Sequence, residues 1–96
     1  MSFEVDFEIF RDRFIPTLEY KYRKTKNKLS DALVWTEIFS VIKGGFHSNK
    51  HYSGFIPAKI YIKEHGSQCL SHSERGQLYW IFLRYEQWKE ENAGYD

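Results

Sequence analysis

Ninety-six residues set the size of one small domain, able to bury on the order of two-thirds of its unfolded surface. With 42% hydrophobic and 19% aromatic residues the chain has the material for a core, which excludes a disordered segment. A net charge of +1 points to no partner, so any electrostatic function has to come from local clustering.

The N-terminus, MSFEVDFEIF, carries acids where a secretory signal needs a basic start and an apolar core. No apolar run approaches the roughly 20 residues that span a bilayer. The lone cysteine, Cys69, excludes an internal disulfide. The expectation is an intracellular chain, cytoplasmic or nuclear, with no membrane contact.

Phe7, Phe10 and Phe14 fall at helical spacing, and Asp6 can cap their first turn. Pro16 predicts an end near Arg13 to Ile15. The Lys- and Arg-rich run that follows reads as a loop or a frayed helix end. A second helix opens at Ser30, an N-cap, with Asp31 in its first turn. Trp35, Ile38, Phe39 and Ile42 make one apolar stripe on it, and Gly44 is expected as a left-handed cap after Lys43.

Residues 44–55 read as a loop. The stretch from Ile56 to Gly66 is ambiguous, because Ile56, Ala58, Ile60 and Ile62 alternate like a strand. Pro57 suits a first helical position and Gly66 a C-cap, and a lone strand has no partner, so a short helix is expected. The last helix starts with a capping box, Ser71 and Glu74, and places Leu78, Ile81, Phe82, Tyr85 and Trp88 on one face. Gly94 is expected to end it. The fold class is all-α: a small bundle of about four helices with long loops, one domain over residues 1–96. Trp35, Ile38, Phe39 and Ile42 are expected to meet Leu78, Ile81, Phe82 and Tyr85 in its core.

Catalytic motifs are missing. The stretch IKGGFHS has glycines but no following Lys-Ser/Thr, and it closes a helix where a phosphate loop must open one. The chain is therefore expected to be no enzyme and to hold no cofactor, whatever a parent protein does. His47, His51, His65, Cys69 and His72 have short spacings that a tetrahedral zinc could use. Zinc modules usually pair cysteines, and one cysteine with polar neighbours fits ordinary loop residues better, so no metal is expected. Cys69 beside His65 and His72 lacks any sign of an oxyanion site, and a structural cysteine is the better reading. Glu90 and Glu91 read as a solvated face.

The order of these segments resembles one piece of the UvrD/Rep-type superfamily 1 helicases, and Val34-Trp35-Thr36-Glu37-Ile38 followed by Ile42-Lys43-Gly44 resembles a helix of large helicase-like members of that group. The piece concerned is their helical subdomain 1B, which is inserted in the first RecA-like domain. Tyr79, Tyr85-Glu86, Gly94 and Asp96, and the earlier Phe10, Phe14 and Pro16, extend the likeness over most of the chain. It is nearest in kind to the large eukaryotic helicase-like proteins with tetratricopeptide and ankyrin repeats. Departures are Phe55-Ile56-Pro57, where the family has leucine-serine, and a longer basic stretch from Lys21 to Lys28. The resemblance implies a subdomain cut from a larger chain, Asp96 beginning the return to a RecA-like core.

Lys21, Arg23, Lys24, Lys26 and Lys28 place five positive charges in eight residues, with Tyr20 and Tyr22 interleaved. Cations bind phosphates and tyrosine can stack on an unpaired base. The candidate nucleic-acid-binding residues are therefore Lys21, Tyr22, Arg23, Lys24, Lys26 and Lys28, with single-stranded nucleic acid as the partner. Arg11, Arg13, Arg75 and Arg84 are candidates to extend that surface. A solubilising linker is the plainer reading of such a run. Two functions follow: a non-catalytic helicase subdomain that contacts nucleic acid beside an ATPase core, or a protein-interaction module with an aromatic docking surface.

Overall fold

The computed structural model of the protein describes residues 2–18, 29–44 and 54–96. Asp6 Oδ1 accepts from Ile9 N at 2.8 Å and starts helix α1. This helix is one α-turn over Phe7–Ile9, a wide turn over Phe10–Phe14 and a tight turn over Ile15–Thr17. It runs past Pro16 instead of ending at Arg13 to Ile15. Proline has no N–H to donate, and the chain meets it by changing pitch. Ile15 N bonds back to Phe10 O, and Thr17 Oγ1 donates to Phe14 O at 2.6 Å.

Ser30 Oγ accepts from Leu33 N at 3.0 Å and caps helix α2, which spans Asp31–Glu37 and a wider turn, Ile38–Ile42. Gly44 is not a left-handed cap, since Gly54 is the described glycine with positive φ. Gly44 is needed for space: a Cβ there would sit 1.9 Å from Phe39 O.

The ambiguous stretch is helical. Helix α3 spans Ala58–Ile60 and a wide turn, Tyr61–His65. Pro57 stands one position earlier than expected, as an extended N-cap, and Gly66 follows the last turn. Helix α4, His72–Glu91, has both halves of its capping box: Glu74 N donates to Ser71 Oγ at 3.1 Å and Ser71 N to Glu74 Oε1 at 2.9 Å. Its left-handed terminal residue is Ala93, with φ 56°, and not Gly94.

Gly94 instead belongs to a strand. Phe3–Glu4 (β1) pairs in parallel with Gly94–Tyr95 (β2), and Val5 N donates to Tyr95 O at 2.6 Å. A side chain on Gly94 would press on Val5 and Phe3 at 3.1 and 3.2 Å.

α4 is the centre of the bundle. Leu78, Ile81, Phe82 and Tyr85 are fully buried against Val34, Ile38 and Ile42 of α2, Phe10 and Phe14 of α1, and Tyr61 of α3. Ring contacts bind the elements: Tyr85 meets Phe10 and Phe14 at 5.3 Å each, and Phe82 meets Phe55 at 5.1 Å. Such edge-on pairs each add about 0.5–1.5 kcal/mol to the burial of the rings. Trp35 and Phe39 lie half-buried at the core's edge. The described residues thus form the expected small all-α bundle, with two-residue strands joining its ends.

Candidate functional site

Between α3 and α4 runs a groove of about 390 Å³. Gly76 lines it, and a Cβ there would make an ordinary contact with Ile62 Cδ1 at 3.8 Å. A mid-helix glycine costs about 1 kcal/mol against alanine, and the space at this position would accept an alanine. Ala58, Ile62, Tyr79, Trp80 and Leu83 form the apolar walls, with His72, Ser73 and Gln77 at one end. Tyr79 is the floor: its hydroxyl donates to Ile56 O at 2.6 Å, and burial pushes the phenol up to about 12. Trp80 is 54% exposed and Leu83 39% exposed.

Two lysines follow lining residues of this groove on α3. None of its lining residues is acidic. Lys59 and Lys63 are exposed on α3, each the next residue after a lining position. Arg84, one turn beyond Trp80, lies 3.4 Å from Gln87 Oε1.

Behind α3 lies a buried polar network. Glu37 is 4% exposed, and its Oε1 accepts from Tyr61 Oη at 3.0 Å and from Ser67 N at 2.6 Å. Burial, then the Glu37 carboxyl, push the Tyr61 hydroxyl well above the ordinary phenol range. Arg75 Nη1 donates to Ile62 O at 2.8 Å, and its Nε and Nη2 donate to Ser67 O at 3.2 and 2.9 Å. The guanidinium thereby closes the carbonyl end of α3. Gly66 makes room for it, since a Cβ there would meet Arg75 Cδ at 2.3 Å. No buried side-chain polar atom among the described residues lacks a hydrogen bond.

The six basic-stretch candidates, Lys21, Tyr22, Arg23, Lys24, Lys26 and Lys28, lie outside the described residues. Of the arginines expected to extend their surface, Arg75 is 8% exposed and committed to backbone carbonyls, which corrects that expectation. Arg11 forms a two-pronged pair with Asp12 at 2.8 and 3.0 Å, and Arg13 stands over the Phe3 ring at 4.8 Å. His47 and His51 also fall outside the described residues. Cys69 Sγ lies 3.0 Å from Ser67 Oγ, and His65 lies 3.9 Å from Glu64. Among the described residues no cluster of His, Cys, Asp and Glu is arranged to hold a metal. None of their helices is long and apolar enough to cross a membrane.

Trp80 and Leu83 escaped the sequence reading, although a signal existed. The buried stripe Leu78, Ile81, Phe82 and Tyr85 leaves both on the other side of the helix.

The chain is 29% identical over 93 residues to human TPR and ankyrin repeat-containing protein 1. The match takes in 96% of this chain and 3% of that protein, so the chain spans a small fraction of its relative. No family model matches the chain. No solved structure matches it either.

Proposed function

We propose that the chain is a non-catalytic interaction module of a larger protein and docks a partner protein in the groove between α3 and α4. One observation carries this: Trp80, 54% exposed, stands beside Leu83 over an apolar floor. Tryptophan is among the residues enriched as interface anchors, and an exposed apolar patch rimmed by polar residues is a usual docking feature. The human relative is named for tetratricopeptide and ankyrin repeats, which build extended binding surfaces. A helical docking module suits such company.

A photo-crosslinking residue at position 80, in cells, tests the reading, with position 12 as the exposed control. The expected product is a discrete protein adduct from position 80, absent from position 12 and insensitive to nuclease. Adducts at neither position, or adducts destroyed by nuclease, would count against it.

A second reading rests on the basic stretch. In it the chain is a subdomain of a UvrD/Rep-like helicase, and Lys21, Tyr22, Arg23, Lys24, Lys26 and Lys28 contact single-stranded nucleic acid beside a RecA-like core. Nuclease-sensitive adducts from position 22 would favour it.

A further inference from the structure

We infer that the occupant of the α3–α4 groove is an acidic amphipathic helix; the inference rests on the docking reading above. Shape supplies the first half of the argument. The groove runs between two helices, and α3 is about 12 Å long at about 1.5 Å per residue. That length takes two turns of a third helix, whose residues at i, i+3, i+4 and i+7 would meet Trp80, Leu83 and Ile62.

Charge supplies the second half. A helix lying in a groove exposes two flanks to the walls that hold it. Here the α3 wall offers Lys59 and Lys63, both exposed. The acid on α3, Glu64, stands two residues, about 200° around the helix, past the lining Ile62, so it projects away from the groove face. Glu90 and Glu91, the exposed acids of α4, lie about two turns beyond Leu83, toward the end of the helix. A partner with carboxylates beside its apolar stripe meets complementary charge along the α3 side. A basic partner with the same stripe meets like charge, which is how rim residues select among helices of equal hydrophobicity.

The test uses three peptides with one shared leucine stripe and flanks of Glu, Gln or Lys. The readout is the indole N–H resonance of Trp80 in the chain, identified by Trp80→Phe, with affinity taken from its shift. The Glu peptide is expected to bind at least about tenfold more tightly than the Lys peptide at about 0.05 M salt, with the gap closing near 0.5 M. Lys59→Glu with Lys63→Glu should reverse the order. Leu83→Ser should abolish binding at unchanged melting temperature.

Equal affinity for the Glu and Lys peptides, with the Trp80 resonance moving, would overturn the acidic partner and leave the groove as a docking site. Binding of none of the three would overturn it too, and the crosslink from position 80 would still decide the docking reading separately. Self-association that depends on Trp80 would make the occupant a second copy and end the inference.

Discussion

Lys43 Nζ lies 2.9 and 2.8 Å from the two carboxylate oxygens of Asp96, 53 residues further along the chain. The contact ties the end of α2 to the residue after β2. Glu86 Oε1 accepts from the same ammonium at 2.7 Å, and Lys89, itself 2.9 Å from Glu86 Oε2, reaches Asp96 as well. Tyr85 donates its hydroxyl to Asp96 Oδ2 at 3.1 Å. Two cations and two carboxylates balance in this cluster, so their mutual attraction offsets the cost of taking each charge out of water.

The cluster predicts a pH profile. Burial alone would push the Asp96 carboxyl up, but hydrogen bonds from Lys43 and Lys89 outweigh it and hold it below the usual carboxylate range. A lowered native value means stability that is full above the unfolded value of 3.8 and declines as pH falls below it. At the other extreme, burial works against the Lys43 charge, yet hydrogen bonds to Asp96 and Glu86 keep its value above 10.5. Tyr79, raised to about 12, acts in the same sense. Stability should therefore also fall as pH climbs through about 10–12. Thermal melts of the chain and of Asp96→Asn across pH check this. Asp96→Asn should cost about 1.5–3 kcal/mol at pH 7 and flatten the acid limb.

The Glu37 network predicts an asymmetry. Glu37→Ala strands the Tyr61 hydroxyl and the Ser67 N–H together, each at about 1–3 kcal/mol. Tyr61→Phe removes a donor and leaves Glu37 its bond from Ser67, so it should cost less. Chemical denaturation of both variants measures the difference, and equal costs would show that Tyr61, not Glu37, holds the network.

The legibility of these features differs for physical reasons. α4 was plain because its cap and stripe are local signals: a side chain three residues away and a repeat along one face. Glu37 was not, because nothing near it in sequence makes a buried carboxyl acceptable. Its partners come 24 and 30 residues later, from Tyr61 and Ser67. Pro16 misled because its missing N–H was absorbed by a change of pitch. Gly94 misled because glycine served the strand contact, while Ala93 took the left-handed turn. Two-residue strands are too short to leave a period in the sequence. In the groove, Trp80 was visible as an apolar residue off the stripe, but the neighbouring wall, Ala58 and Ile62, had to be placed first.

The core and the groove should respond oppositely to truncation. Phe82 is fully buried, so Phe82→Ala should cost about 3–5 kcal/mol. Phe39→Ala should cost less, since that ring sits at the core's edge. Trp80→Ala should cost under about 1 kcal/mol because the ring is half in solvent. Melting temperatures in that order support the assignment of Trp80 to function rather than to folding.

Binding of the chain to single-stranded nucleic acid is expected to be weak, with Kd no tighter than about 1 μM at low salt, and to fade as salt rises. Lys24→Gln with Lys26→Gln and Lys28→Gln should remove it, while Trp80→Ala should leave it intact. Fluorescence anisotropy with a labelled oligonucleotide checks both. Binding that survives the triple variant would place the contact on another surface.

Hydrogen exchange of the chain, alone and within the complex captured through position 80, tests the docking claim most directly. Residues 58–62 and 76–84 should exchange more slowly in the complex, and residues 7–17 should be unchanged. Protection of 7–17 with no change across 58–62 and 76–84 would contradict the groove as the docking surface.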